Sequence, residues 1–521
     1  MGDSDRPQTG TGNTPWQRLP LVSILYFIIS TTLQFVRQFI VAISVLAYSV
    51  SSTDIQGSTF FIPGLVVLVI VIICSGFMSF WFYHYRVHHR HVEIRSGVLK
   101  RRNINLPFWR IQNVKIERPF YYRLTQYAVL VLDTAGSAEE EAKIVAITIA
   151  DAQGLRQQIL SAGDNDQDDQ DGDAPSEKSE NETSPLLTET VINRREVKDL
   201  ILHGLTNNRV WIILGALAPF YDDIGSAFYG WLDAMGLSLE VLFPSEQVAW
   251  WQLSLYVISL MLLALGIMAS ASVAGAVITY YNYTLSRTSD RYIRRSGLFS
   301  LQEVSMRQSR IQKISIKQDW LDYLLKRANL FFEQNKTGRQ AEQELHSTSK
   351  LLVPSVTYPE AKILAMDGMP ANQLYQIPFT RIHRRFISRY LFWFVLPISS
   401  LILALAYVEL GVLAVLPALA MAVVLSGIVY VRWRRWGIAI DTQYCYVRKG
   451  LVGIDRYCFA LHKVQQVVIS QSLFMRRRDL ANIRFILASG EVSVPFLPYQ
   501  QALYLANRVL WEVESQRRSW M

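Results

Sequence analysis

Apolar residues crowd into three stretches of the chain, and Lys and Arg are absent from each: 38–85, 210–286 and 390–431. Each stretch has room for two helices of about 20 residues, the length that a bilayer core requires. The expected spans are 33–52 and 60–83, 208–226 and 250–281, and 389–407 and 411–431. A large soluble core does not explain windows free of basic residues, whereas membrane insertion does. Outside these windows the period changes. Val92 and Ile94, Ile104 and Leu106, and Val114 and Ile116 alternate with polar residues, as half-buried strands do. Ala128 to Leu132 and Ile144 to Ile149 read as further strands, and Ala150 to Leu160 as a closing helix. The same succession returns over 282–368, interrupted by a polar insertion from Glu333 to Lys350. It returns again over 434–521, ending in a helix from Tyr499 to Glu514.

The three soluble segments are copies of one element. Gly97, Gly297 and Gly450 are each followed thirteen residues later by a basic residue that opens a strand: Arg110, Arg310 and Lys463. Gln112, Gln312 and Gln465 come two residues further on. Thirty-one residues after each glycine stands an alanine: Ala128, Ala328 and Ala481. Val353-Pro354 precedes Tyr358 and Ala361 as Val494-Pro495 precedes Tyr499 and Ala502. A repeat of this kind decides the fold. The fold class is α+β: six transmembrane helices in three pairs, each pair followed by a small β-sandwich or barrel with a C-terminal helix. The expected organisation is 1–84, a tail, an interfacial helix and the first span pair; 85–162, module 1; 163–195, a linker; 196–281, the second pair; 282–370, module 2; 371–433, the third pair; and 434–521, module 3.

Charge sets the orientation. The chain carries +9, although nine carboxylates and one lysine lie between Asp164 and Glu182. That acidic run has no apolar periodicity and reads as a disordered linker. Linkers inside each span pair are short or acidic and those between pairs are basic, so both termini and all three modules face the cytoplasm. The run from Leu21 to Val50 would be about 45 Å long as one helix, and Gln34, Arg37 and Gln38 interrupt it. Two arrangements fit: an interfacial helix followed by a short span, or one long tilted helix. The three cysteines fit no zinc spacing and read as reduced thiols.

The repeated element resembles that of bacterial pleckstrin-homology-like (PH-like) membrane proteins of the YdbS/YdbT type. The residues that carry the resemblance are Ile94-Arg95-Ser96-Gly97-Val98-Leu99, Arg110-Ile111-Gln112-Asn113-Val114 and the Thr134-Ala135-Gly136 turn. Pro15 to Leu19 and His203-Gly204-Leu205-Thr206 look like the larger, three-module members. Modules 2 and 3 depart from the pattern: Asn335-Lys336-Thr337-Gly338 stands where module 1 has the Thr-Ala-Gly turn, and Lys463-Val464-Gln465 where it has Arg-Ile-Gln. The resemblance implies a PH-like sandwich in the bacterial cytoplasmic membrane and no established enzymatic activity. The role expected for the chain is non-enzymatic, a membrane-associated scaffold or envelope-stress factor acting through lipid or protein contacts, with membrane lipids, a smaller single-module relative of the family or a second copy of the chain as partners.

Two readings compete for Arg110, Arg310 and Lys463. As headgroup contacts, each would gain about 1 kcal/mol beside an anionic leaflet. As structural residues they would bind a carboxylate or carbonyl at a strand start, and their recurrence in all three modules suits that role. Gln112, Gln312 and Gln465 bridge backbone groups in the same reading. Gly97, Gly297 and Gly450 read as turn glycines with φ > 0. Arg476, Arg477 and Arg478 form a compact cationic run suited to anionic lipid. His84, His88, His89 and His91 lack the further ligands a metal needs. No nucleotide loop, nucleophile elbow or zinc-protease motif occurs, so neither enzyme activity nor a cofactor is expected. Transport is the rival class, but Arg37, Asp222, Asp223 and Glu409 all lie near span ends. The basic residues hug span ends, which favours lipid over nucleic acid.

The orientation predicts that a cysteine placed between Asp223 and Glu246 reacts with an impermeant maleimide in intact cells. Cysteines near Lys336 or in the acidic linker should stay protected until the membrane is opened; early labelling of either reverses the topology.

Overall fold

The computed structural model describes residues 16–35, 38, 61–88, 90–98, 101–123, 125–134, 142–168, 189–206, 226, 230, 233–234, 250–334 and 350–516. The chain divides into two compact units. One comprises Met1–Thr183, Asn207–Thr279 and Gly297–Glu303, and the other Ser184–Thr206, Tyr280–Ser296 and Val304–Met521.

In the first unit, four antiparallel strands form one sheet in the order β1 (Gln17–Arg18), β2 (His84–His88), β3 (His91–Ser96) and β4 (Arg102–Pro107). A second layer follows: β5 (Ile111–Arg118), β6 (Tyr127–Thr134) and β7 (Ala142–Thr148). The helix Ile149–Asp168 closes the module and buries Ala152, Leu155 and Ile159 at helical spacing against the strands. β1 lies before the first apolar pair in sequence and β2 after it, yet Gln17 pairs with Tyr85 and Arg18 with His84. Leu19, just past β1, is buried in the module core. Trp16 stacks beneath two guanidinium groups, Arg86 at 4.5 Å and Arg95 at 4.0 Å from its ring centre. The apolar pair is thus an insertion into the sheet. Module 1 was expected to begin at 85; its first strand in fact comes from the segment before the spans.

The second unit repeats this twice. β8 (Thr190–Arg194), β9 (Thr284–Thr288), β10 (Arg291–Ser296) and β11 (Leu301–Arg307) form the first sheet of module 2, and β8 again precedes an apolar stretch. β12 (Lys313–Lys317), β13 (Arg327–Glu333) and β14 (Lys350–Thr357) form the second, closed by the helix Tyr358–Gly368. Thr357 and Glu360 make a reciprocal capping box at its start. In module 3, β15 (Thr380–Arg381) precedes the last apolar pair, and β16 (Gly437–Ile440), β17 (Tyr444–Lys449) and β18 (Asp455–Ala460) follow it. β19 (Val464–Ser470), β20 (Leu480–Leu487) and β21 (Gly490–Pro498) form the last layer, under the helix Tyr499–Gln516. The expected linker 163–195 therefore overlaps ordered structure at both ends, in the closing helix of module 1 and in β8.

A shared irregularity explains the recurrent alanine. The ladder shifts register just after Ala128, Ala328 and Ala481, each of which is fully buried. The facing residues Ala146, Ser355 and Phe496 all have positive φ, the mark of a β-bulge. A bulge frees a backbone N–H. In modules 2 and 3 the residue after the alanine captures it: Asn329 Oδ1 accepts from Ser355 N and Asn482 Oδ1 from Phe496 N, both at 3.1 Å. Gly97, Gly297 and Gly450 all have φ between 101° and 152°. At Gly297 and Gly450 a Cβ would lie 2.0 Å from the carbonyl oxygen three residues on.

Modules 2 and 3 share one sheet. β12 pairs antiparallel with β18, Lys313 opposite Phe459 and Ile316 opposite Arg456, giving seven strands in the order β14-β13-β12-β18-β17-β16-β15. Gln318 N donates to Asp455 Oδ1 at 3.2 Å beside this seam, and Gly453 allows the Gln318 carbonyl to approach.

Among the described residues, two helices are long and apolar enough to cross a membrane, Arg385–Val408 and Gly411–Arg435. Shorter apolar helices run over Ser23–Phe35, Val66–Trp81 and Leu265–Tyr280. Their large apolar side chains, such as Val67, Ile267, Leu405 and Leu416, point outward, the reverse of a soluble helix. A π-helical turn, Leu391–Val395, precedes Pro397. Of the N-terminal run, Ser23–Phe35 is helical and crosses the helix Phe61–Trp81 at Gly76, where a Cβ would come within 2.9 Å of Ile28 Cα. All of the expected span 208–226 except its last residue, and most of 33–52, lie outside the described residues.

Gly450→Val should destabilise module 3 by more than about 1 kcal/mol, since a β-branched residue combines positive φ with a backbone clash. Thermal unfolding of the full chain checks this; an unchanged midpoint removes the strain argument.

Candidate functional site

The seam between modules 2 and 3 builds a cationic groove that neither module has alone. Lys313 and Lys317 project from one face of β12, four residues apart. Lys350 on β14 is the cross-strand partner of Glu333 on β13, which in turn faces Lys313. Beyond the seam, Tyr457 on β18 is opposite Ser315, and Val447 on β17 is opposite Tyr457. Lys449 lies two residues along β17, hence on the same face. Glu491, Val492 and Ser493 at the start of β21 form the other wall of this cleft of about 130 Å³.

Four lysines and two glutamates line it. Glu333 is engaged by Lys313 Nζ at 3.3 Å and by the Ser315 hydroxyl. Tyr457 presents its ring to Lys449 at 4.9 Å and to Lys313 at 5.7 Å, and Phe331 carries Lys317 at 5.2 Å. These aromatic faces hold the ammonium groups without neutralising them. Burial lowers the pKa of Lys449, and Lys317 and Arg432 add to the shift while Asp455 opposes it. The groove thus gathers positive charge whose repulsion an anion would relieve.

The sequence-expected residues divide. Lys463 is 9% exposed and donates its ammonium hydrogens to the carbonyls of Ser309 and, at 2.7 Å, Ile311. It is a seam residue, and burial pushes its pKa down to about 8. Arg310 is half-buried; burial, then Arg307 and Arg291, lower its pKa to about 10. Arg110 is exposed. Gln312 is buried and Gln465 exposed, so the glutamines share no single role, and the side chain of Gln112 lies outside the described residues. Arg476, Arg477 and Arg478 are all exposed, beside Leu473 and Phe474, which are 81% and 75% exposed. His84 and His88 lie on β2, and His88 faces His91 across the hairpin. None of the groove lysines was singled out by the sequence, where they are scattered over 137 positions; Lys313, next to Gln312, and Lys449, next to Gly450, lay inside the repeated motif, but neither was given a role.

A larger cleft of about 530 Å³ lies between the β16–β17 turn and the last helix. Its carboxylate, Asp441, is engaged by the backbone N–H groups of Gln443 and Tyr444 and by the Tyr446 hydroxyl, so it serves the turn.

Three sandwiches, each with a four-stranded and a three-stranded layer and a C-terminal helix, define a PH-like class. The bacterial PH domain family model matches residues 20–163, 235–352 and 395–512, and the chain belongs to that family. It is 22% identical over 337 residues to the UPF0699 transmembrane protein YdbT of Bacillus subtilis (strain 168), a match covering 63% of this chain and 64% of that protein. No solved structure matches.

Lys463→Met should cost about 1–3 kcal/mol, because it leaves the buried Ile311 carbonyl without this donor. Arg110→Ala should change stability by less than about 0.5 kcal/mol, as exposed substitutions do. The unfolded chain holds the Lys463 proton more tightly than the folded one, so between about pH 8 and the usual lysine value of 10.5 its contribution to stability rises with pH. The stability difference between wild type and Lys463→Met, followed over that range, should show the rise; a flat difference argues against a buried ammonium.

Proposed function

We propose that this chain is a six-span protein of the bacterial cytoplasmic membrane. In this reading its three PH-like modules face the cytoplasm and act as a non-enzymatic scaffold, with the lysine groove holding a phosphate-bearing anion. The single observation that carries this reading is the groove itself: four lysines, three of them against aromatic faces, at a seam fixed by backbone hydrogen bonds. The outward-facing apolar side chains of the long helices support membrane insertion, as does the name of the Bacillus relative, a transmembrane protein. Arg476, Arg477 and Arg478 are a second, exposed cation set for anionic headgroups. The transport alternative draws on the π-helical turn beside Pro397, since such turns accompany functional irregularities in helices. Solute flux into vesicles carrying the protein would favour it.

The anion is either a lipid headgroup or a free phosphate compound. Full-length protein in neutral nanodiscs should gain thermal stability when phosphatidylglycerol is added, if the source is lipid, or when inorganic pyrophosphate is added, if it is soluble. A ligand at 100 times its Kd stabilises by about 2.7 kcal/mol. The gain should shrink with salt and disappear in Lys317→Glu/Lys449→Glu. Equal gains in wild type and variant, or none with either ligand, would overturn the groove.

A further inference from the structure

The seam between modules 2 and 3 uses one edge of each: β12 from a second sheet and β18 from a first sheet. Among the described residues, two equivalent edges have no strand beside them, one in module 3 and one in module 1. β19, the module 3 counterpart of β12, is terminal in the order β19-β20-β21. β4, the module 1 counterpart of β18, is terminal in the order β1-β2-β3-β4.

Burial records the difference residue by residue. Ile314, Ser315 and Ile316, inside the seam, are 0% exposed. Their counterparts by the repeat spacing, Val467, Val468 and Ile469, are only half-buried, and Gln466 is exposed. Cys458 is 0% exposed at the seam, whereas its counterpart Asn105 is exposed. Lys463 is buried across the seam, whereas its counterpart Arg110 is exposed.

The short helices between the layers point the same way. In module 2 the helix Trp320–Leu324 sets Tyr323 under Arg435, the last residue of an apolar helix of module 3, at 5.1 Å. In module 3 the equivalent helix Leu473–Arg476 presents exposed Leu473 and Phe474, with Arg476 in the place of Tyr323. The module 1 counterpart of Arg435 is Phe82, which is 38% exposed. Arg476 and Phe82 would form the same cation–π pair with the roles exchanged.

We propose that β19 of one chain accepts β4 of a second copy, head to tail, in the register of the internal seam. That register places Gln466 opposite Leu106, Val467 opposite Asn105, Val468 opposite Ile104 and Ile469 opposite Asn103. The second copy is the occupant because each chain carries both halves of the seam, and Arg110 of the incoming copy is placed to do what Lys463 does internally. Pro107 lies one residue beyond the four paired positions, so its missing N–H costs no rung. The contact is heterologous: each added copy exposes a fresh β19, and growth ends only by ring closure.

The test uses full-length protein in nanodiscs or native membranes, with Cys74→Ser to remove the exposed thiol; Cys445 and Cys458 are buried and stay. Differently tagged chains carrying Val467→Cys and Asn105→Cys, or Val468→Cys and Ile104→Cys, are mixed and mildly oxidised. Adjacent rungs alternate, so one of the two pairs is non-hydrogen-bonded, with Cα atoms about 4.5 Å apart. That pair should give a strong heterodimer band, and Val468→Cys with Leu106→Cys should give at least tenfold less. Val468→Pro, which removes a ladder donor, should shift the particle mass from multiples to the single chain. A single-chain mass at every concentration overturns the proposal, as does cross-linking indifferent to register. If Val468→Cys in native membranes links to a product of another mass, a different protein occupies the edge, and the second-copy assignment is overturned.

Discussion

Backbone hydrogen bonding at strand edges is the constraint on which the rest of this structure depends. A strand left at an edge exposes N–H and C=O groups that must find partners or water. Here the chain meets that requirement twice over. Within each module the first sheet is started by a strand from before an apolar stretch and continued by strands from after it, as Gln17 with Tyr85 and Thr380 with Ile438 illustrate. Between modules 2 and 3 the facing edges meet, and two separate sandwiches become one sheet. The first device fastens each module to its own helices at both ends. The second makes the relation of module 2 to module 3 a matter of register rather than of a flexible tether.

Charge then follows backbone. Once β12 and β18 are paired, the alternation of side chains brings Lys313, Lys317, Lys449 and Tyr457 to one face, and the small cleft against β21 concentrates them. Lys463 is spent on the seam itself, giving its hydrogens to carbonyls of the loop before β12. Two lysines separated by 14 positions in sequence thus have opposite tasks. One stabilises the seam at the cost of desolvating its charge, and the other faces a groove where an anion would relieve crowding.

The repeat was legible because it is written in spacing. The glycine, the basic residue and the alanine recur at fixed distances, and each answers to local geometry: positive φ at Gly97, Gly297 and Gly450, and a buried bulge after Ala128, Ala328 and Ala481. The family resemblance rested on the same residues. The asparagine after the alanine in modules 2 and 3 was also in plain view, but its task could be known only with the bulge in hand, since Asn329 and Asn482 serve N–H groups 26 and 14 residues away. The strands β1, β8 and β15 escaped notice because strands of two to five residues carry no measurable alternation.

The sequence by itself determined the number of modules, their class and the apolar stretches between them, because period, spacing and the exclusion of Lys and Arg are properties of order along the chain. Tertiary structure alone decided which basic residue does what. Arg110, Arg310 and Lys463 occupy one position in the repeat, yet their exposure differs. That difference arises from what pairs with the neighbouring strand edge, and edge pairing joins residues more than a hundred positions apart. The groove has the same origin: its lysines share no motif and come together only through the register of β12 against β18.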